Sequence, residues 1–431
     1  MNKKINIDKI RTLGELIRSG YKPRTIKQEM RENLIESLRS KTPLFKYIQG
    51  YEESVIPQLE TAILSQHNIL FLGLRGQAKT RLSRLLTDLL DEYIPVISGS
   101  ELNEDPMSPI TRYGRDLVED RAENTPVSWL HRDERYIEKL ATPDVSVADL
   151  IGDLDPIKAA TLKLSYADER AIHFGLIPRS HRCIFVINEL PDLQARIQVA
   201  LFNILQEGDI QIRGFRIRLP LDLQFIFTAN PEDYTNRGSI VTPLKDRIGS
   251  QILTHYPKSV EISSIITKQE AKVPVDQKSA ITIPPLVDRL LEQIAFEARK
   301  SEYIDQKSGV SARLTISAFE NLYSVVHRRI LMNGEVEGTA RISDLYGVIP
   351  AITGKVELVY EGELEGISNV AYTLIGKAIR TEFIKFFPDP ERTKKSKQKN
   401  PYSDVIGWFG EGKNFINSVR IAFPIKVYAT L

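Results

Sequence analysis

The sequence predicts an α/β fold: a mostly parallel sheet covered by helices, with a smaller helical domain after it. Three observations carry that prediction. Short apolar runs recur at NILFLGL (68–74), CIFVINEL (183–190) and FIFTANP (225–231). Unbroken runs of that length are what strands buried on both faces look like. Between them lie segments with helical spacing, and strands alternating with helices imply a parallel sheet covered on both sides. From Leu286 to about Pro388 the pattern is largely helical, as in LVDRLLEQIAFEARKSEY and TISAFENLYSVVHRRILM.

In chain order, residues 1–44 are charged with helical spacing and are expected to form an N-terminal helical extension. The core is expected over 45–266. It opens with a helix in YEESVIPQLETAILSQ, whose apolar residues at 55, 56, 59, 63 and 64 share one face. NILFLGL is the first buried strand, a glycine-bearing loop follows, and TRLSRLLTDLLDEY is the next helix. Residues 99–182 are polar and poorly periodic. CIFVINEL reads as a strand, LQARIQVALFNILQEG as a helix, and DIQIRGFRIRLPLDLQ alternates about Gly214 like a hairpin. Residues 267–285 read as a linker, 286–388 as a helical lid, and 389–431 as a basic linker and C-terminal tail. There is no internal repeat.

Two or three domains fit a chain of 431 residues at roughly 100–200 residues each. A net charge of +2 gives no global case for nucleic-acid or anionic-membrane binding. The lone cysteine, Cys183, cannot form an intramolecular disulfide, which fits a reducing compartment. The N-terminus lacks the pattern of a signal peptide, and no apolar run nears the ~18 residues of a membrane span, so a cytoplasmic protein without membrane insertion is expected.

The chemistry concentrates in NILFLGLRGQAKTRL. Gly73-x-x-Gly76-x-Ala78-Lys79-Thr80 sits between a strand and a helix, the context a phosphate-binding loop requires. Backbone N–H groups would turn toward a phosphate. Lys79 would reach the β- and γ-phosphates, and the Thr80 hydroxyl would ligate Mg²⁺. Alanine stands at 78 where glycine is usual; its methyl costs little at negative φ and is a penalty only at positive φ. The plain alternative is a glycine-rich turn before a helix. In CIFVINEL the apolar run ends in Asn188-Glu189. An asparagine at the first position accepts a hydrogen bond from metal-bound water but carries no charge, while Glu189 can serve as base; otherwise Asn188 is a capping residue. Asn230, at the end of FIFTANP, is placed to hold a water near a γ-phosphate, or is simply a turn residue before proline.

In this order the segments resemble an AAA+ ATPase, in particular the branch of the MoxR ATPases and the I subunit of magnesium chelatase. ATPDVSVADLIGDLDPIKA and FGLIPRSHRCIFVINELPDL resemble that branch's helix-2 insert and Walker B approach. EGDIQIRGFRIRLPLDLQFIFTANPEDY resembles the hairpin before sensor 1, GSIVTPLKDRIG the arginine-finger segment, and SGVSARLTISAFENL the sensor 2 region. The likeness covers about 45 to 388. It implies ATP and Mg²⁺ as cofactors, with Gly73, Gly76, Gln77, Ala78, Lys79, Thr80, Arg81 and Arg313 binding the nucleotide. It also implies Thr80 and Asn188 at the metal, and Glu189, Asn230 and the arginine finger Arg247 in catalysis. For Arg247 the alternative is a surface arginine paired with Asp246, and for Arg313 a helix-cap contact. Asn188, where the family has aspartate, predicts slow but real hydrolysis.

The resemblance implies a ring oligomer, expected to be a hexamer, that remodels or activates a partner protein, expected to carry a von Willebrand A domain. The ATPase motor of a metal insertase is the second reading. A DNA-directed motor or transcription regulator is the third, and nucleic acid is the less favoured partner. Arg213, Arg216 and Arg218 around Gly214 and Phe215 would suit an acidic polypeptide or nucleic acid if the hairpin faced a pore, or merely protect an exposed edge. His173, His181 and Cys183 read as surface histidines and a core cysteine rather than metal ligands.

Overall fold

The computed structural model describes residues 7–161, 163, 168–212, 218–231, 239–389 and 401–410. It divides into two units, Met1–His255 and Tyr256–Leu431. The first is built on strands β1 (Ile69–Leu72), β2 (Tyr136–Leu140), β3 (Cys183–Asn188), β4 (Leu223–Ala229) and β5 (Ser250–Leu253). They form one sheet in the order β5-β1-β4-β3-β2, with every neighbouring pair parallel. This is the α/β class the sequence predicts.

Successive side chains on a strand point to opposite faces, and the two cores sort accordingly. Leu70, Phe185, Ile187, Phe225 and Phe227 pack on one face against α4 (Ala195–Ala200), α5 (Phe202–Glu207) and α6 (Thr242–Arg247), through Ile197, Ile204 and Leu244. Ile69, Phe71, Ile184, Val186, Ile226 and Ile252 pack on the other against α1 (Ile26–Ser40), α2 (Val55–Leu64) and α3 (Lys79–Leu85). Strands β3 and β4 are buried along their whole length, whereas the outer β2 and β5 are half exposed.

The N-terminal extension is part of this core. Thr25 and Gln28 form a capping box that starts α1, and Ile26, Met30 and Leu34 join the sheet's hydrophobic face. Buried charge fixes it further. Arg135, 1% exposed, donates from both terminal nitrogens to the Glu29 carboxylate at 2.7 Å, and from Nε to Arg182 O at 3.0 Å. Asp91 N–H donates to Glu29 Oε1 (2.7 Å), and Ile26 N–H to Asp222 Oδ2 (2.7 Å).

His181 is buried rather than superficial, because its Nδ1 accepts the Asp222 N–H at 3.0 Å; His173 is exposed. Burial, reinforced by the Arg182 guanidinium, pushes the His181 imidazole down to about 3. Burial pushes Asp222 up to about 6 against the opposing pull of Ile26 N–H, Arg182 and Arg135. The Cys183 thiol is pushed up by burial to about 12.

The two shifts act on stability with opposite signs. Between about pH 3 and 6.5 the unfolded chain protonates His181's imidazole and the native one does not, so stability rises with pH. Between about pH 4 and 6 the native Asp222 holds a proton that the unfolded chain has lost, so stability falls with pH. An Asp222→Asn chain should therefore gain on wild type by about 2 kcal/mol between pH 4 and pH 7. Urea unfolding at both pH values checks this, and a constant offset would refute it.

In the second unit α8 (Pro285–Ala298), α9 (Arg313–Asn333) and α10 (Ile367–Phe383) share a core that includes Leu291, Ile294, Leu314, Leu322, Leu374 and Ile375, and α7 (Val260–Glu270) is bonded to α8 and α9 through the buried Ser263 and Thr267. The expected linker over 267–285 is largely structured. It holds the end of α7, a helix at Val275–Ala280 and a strand at Ile281–Thr282, because Val273 and Ile281 enter this core. Among the described residues no helix is long and apolar enough to cross a membrane.

Candidate functional site

The loop at 73–78 leaves β1, which lies between β5 and β4. Gly73 N–H donates to Ala229 O (3.1 Å) on β4, and Thr254 N–H to Leu72 O (2.9 Å) just past β5. A Cβ at Gly73 would collide with the Thr254 hydroxyl and the Gln77 side chain. Those two groups are themselves bonded, Thr254 Oγ1 donating to Gln77 Oε1 at 2.7 Å. The buried Tyr51 hydroxyl lies between Gln77 O (2.9 Å) and His255 O (2.8 Å), bracing the loop from outside.

Two loop residues have left-handed backbone. Gly76 has φ +73°, which glycine adopts freely. Ala78 has φ +56° and ψ +19°, so the condition under which its methyl is harmless is not met. The strain costs about 1 kcal/mol. An Ala78→Gly chain should be more stable by about that amount. An unchanged urea midpoint would show that the alanine relaxes without cost.

Lys79 Nζ donates to Leu74 O (3.0 Å), to Asn230 Oδ1 (2.7 Å) and to Gly73 O. Thr80 and Arg81 follow it in the first turn of α3. The lysine of the loop and the polar residue ending β4 thus meet directly, at the C-terminal edge where open α/β sheets bind ligands.

Asn188 ends β3 and is buried. Its Oδ1 accepts from Thr228 Oγ1 (3.1 Å), and its Nδ2 donates to Glu138 Oε1 (2.6 Å) on β2. Glu189 N–H donates to Thr228 Oγ1 (3.1 Å). Glu189 is itself left-handed, with φ +56° and ψ +50°. A non-glycine residue held there carries strain of the kind that gathers at reactive positions.

Arg247, on α6, donates to Gln206 Oε1 (3.0 and 2.8 Å) and Pro243 O (2.7 Å), with its guanidinium 5.1 Å from the Phe202 ring centre. Arg313 is exposed at the start of α9, in the second unit. In the hairpin, Asp209–Gln211 pairs antiparallel with Arg218–Pro220, and Arg218 lies 3.7 Å from Asp209. Arg213, Gly214, Phe215 and Arg216 lie outside the described residues.

Sequence reasoning missed Tyr51, Thr254, Thr228 and Glu138. Thr228 left a signal, a hydroxyl inside an otherwise apolar strand; the others left none. Thr80, Asn188 and Glu138 each offer oxygen, the donor a hard dication takes.

No protein-family model matches the chain. In sequence it is similar to the magnesium-chelatase 38 kDa subunit of Cereibacter sphaeroides, 27% identical over 237 residues, 53% of this chain and 63% of that protein. The chain thus covers a little under two thirds of the curated relative's length.

Among solved structures it is similar to the complex of the magnesium chelatase subunits BchI and BchD (20% identity, 74% of this chain, 98% of that one, TM-score 0.39). Others are the Thermotoga maritima RuvB Holliday junction branch migration motor (12%, 69% and 67%, 0.35) and NtrX from Brucella abortus in complex with ADP (14%, 85% and 68%, 0.38). Superpositions this loose carry no argument by themselves. The finer resemblance to the MoxR branch rests on the sequence segments alone.

Proposed function

We propose that this protein is an AAA+ ATPase that binds ATP with Mg²⁺ at the C-terminal edge of its sheet. In this reading a ring, a hexamer, couples hydrolysis to the remodelling or activation of a partner protein in the cytoplasm. The observation that carries it is the 2.7 Å contact between Lys79 and Asn230. It supports the reading because γ-phosphate chemistry needs a cation and a water-orienting polar group side by side. A second reading, the motor subunit of a magnesium-chelatase-like insertase, is favoured by the sequence likeness to the 38 kDa subunit. A von Willebrand A partner belongs to the first reading.

Lys79 would exchange its carbonyl partners for β- and γ-phosphate oxygens, while the amides of 73–78 cradle the phosphates. Bound through Thr80 and Asn188, magnesium would supply the charge that neutralises those oxygens. Glu189 would take the proton of the attacking water, and Asn230 would orient that water. Arg247 would leave Gln206 and Phe202 to reach the phosphate of a neighbouring subunit, where its charge stabilises the transferring group. Arg313 would contact the nucleotide of its own chain.

The test is phosphate release from ATP and Mg²⁺ by the purified oligomer, with Glu189→Gln expected to lower the rate about 10²–10⁴-fold. If wild type released no more than this variant, the enzyme reading would be lost. Captured on ATP, the Glu189→Gln protein should retain its partner, and a von Willebrand A protein or a tetrapyrrole-synthesis complex separates the two readings.

A further inference from the structure

Asn188 stands where a metal-associated carboxylate is expected, yet a carboxylate is within hydrogen-bond distance of it. Glu138 comes from β2, the strand beside β3, in a register that sets Leu140 opposite Asn188 and Glu138 opposite Val186. Residues in register share a face, so Glu138, Val186 and Asn188 all point to the side on which α3 packs. Asn188 Nδ2 donates to Glu138 Oε1 at 2.6 Å. The other oxygen, Oε2, takes Arg84 from α3 (3.0 Å) and the Tyr136 hydroxyl (3.2 Å). Arg84 lies one helical turn beyond Thr80, on the same face of α3. Glu138 thus bridges Asn188 on β3 and Arg84 on α3.

We propose that Asn188 and Glu138 act as one composite acid at the metal position. Asn188 presents the oxygen and Glu138 supplies the charge. The inference rests on the nucleotide-site reading above. The amide oxygen has two lone pairs, and Thr228 Oγ1 takes one of them at 3.1 Å. The second is available to a metal-bound water. Donation from Nδ2 to a carboxylate enriches that oxygen, as outer partners do for metal ligands generally. Arg84, 65% exposed, engages Oε2 and leaves Oε1 to Asn188. An aspartate at 188 would set two carboxylates against each other here, so the neutral residue and its acidic neighbour form a matched exchange. Glu138 is a positioning residue, acting through Asn188.

The experiment titrates a methylanthraniloyl-labelled ATP into the full chain over a range of free Mg²⁺, and again with EDTA. Glu138→Gln keeps an acceptor for Asn188 Nδ2 and removes only the charge. It should weaken the apparent Mg²⁺ affinity of the complex about tenfold, with metal-free nucleotide binding within about twofold of wild type. The double variant N188D/E138Q moves the charge back to position 188 and should restore Mg²⁺ affinity, whereas N188D alone should not exceed wild type. The proposal is overturned if Glu138→Gln keeps the wild-type Mg²⁺ dependence, or if the double variant stays as weak as Glu138→Gln. Wild type that binds no nucleotide would remove the site reading itself, and this inference with it.

Discussion

Lys79→Ala should lower phosphate release about 10²–10³-fold, the usual consequence of deleting one preorganised donor to a phosphoryl group. The same variant should bind ATP more weakly while unfolding within about 1 kcal/mol of wild type. That contrast follows from where the ammonium sits. Its partners, Gly73 O, Leu74 O and Asn230 Oδ1, line a half-exposed loop that water can re-solvate when the side chain goes. Lys79→Arg should not rescue, because a planar guanidinium cannot place a compact point charge among three converging oxygens. Asn230→Ala combined with Lys79→Ala should cost little more than Lys79→Ala alone, since the two side chains act as a unit. Hydrolysis retained to within threefold in Lys79→Ala would remove the loop from the mechanism.

Arg135→Ala should destabilise the first unit by about 3–5 kcal/mol, because it leaves the Glu29 carboxylate buried without its counterion. Glu29 is 4% exposed and Arg135 1%, so water cannot take over either charge. Such a loss is a large part of the ~5–15 kcal/mol that keeps a domain folded. Replacing both partners, as Arg135→Met with Glu29→Leu, should recover most of it, because an apolar pair has no desolvation penalty to offset. Urea unfolding followed by tryptophan emission reads both results. A loss below about 1 kcal/mol in Arg135→Ala would mean that the helix finds another way to satisfy Glu29.

The sequence made the centre of the sheet legible and its margins illegible. β1, β3 and β4 stand out because both of their faces are buried, which leaves unbroken apolar runs. β2 (YIEKL) and β5 (SQIL) carry polar residues on their half-exposed sides and look like loop. The same property hid Glu138, which belongs to an unread strand and meets Asn188 fifty positions on. The order of the phosphate loop, Asn188-Glu189 and Asn230 could be read because each ends a buried strand. The sign of φ at Ala78 could not, since it depends on Tyr51, Gln77 and Thr254 fixing the loop from distant parts of the chain. The extension at 1–44 was read as helical from its spacing. That it belongs to the core depends on Arg135 and Asp222, which no local window contains.

That dependence has a cost during synthesis. The contacts of α1 with the rest of the first unit span 106 positions for Glu29 and Arg135, and 196 for Ile26 and Asp222. At roughly 5–20 residues per second, a ribosome needs about 10–40 seconds to make the second of these partners after the helix has emerged. For about the first half of that interval Glu29 has no counterion, and until its end Ile26, Met30 and Leu34 have only part of their sheet to cover. The nascent chain therefore carries an amphipathic helix with its apolar face in the open, and shielding of that segment by a chaperone would raise the yield of folded protein.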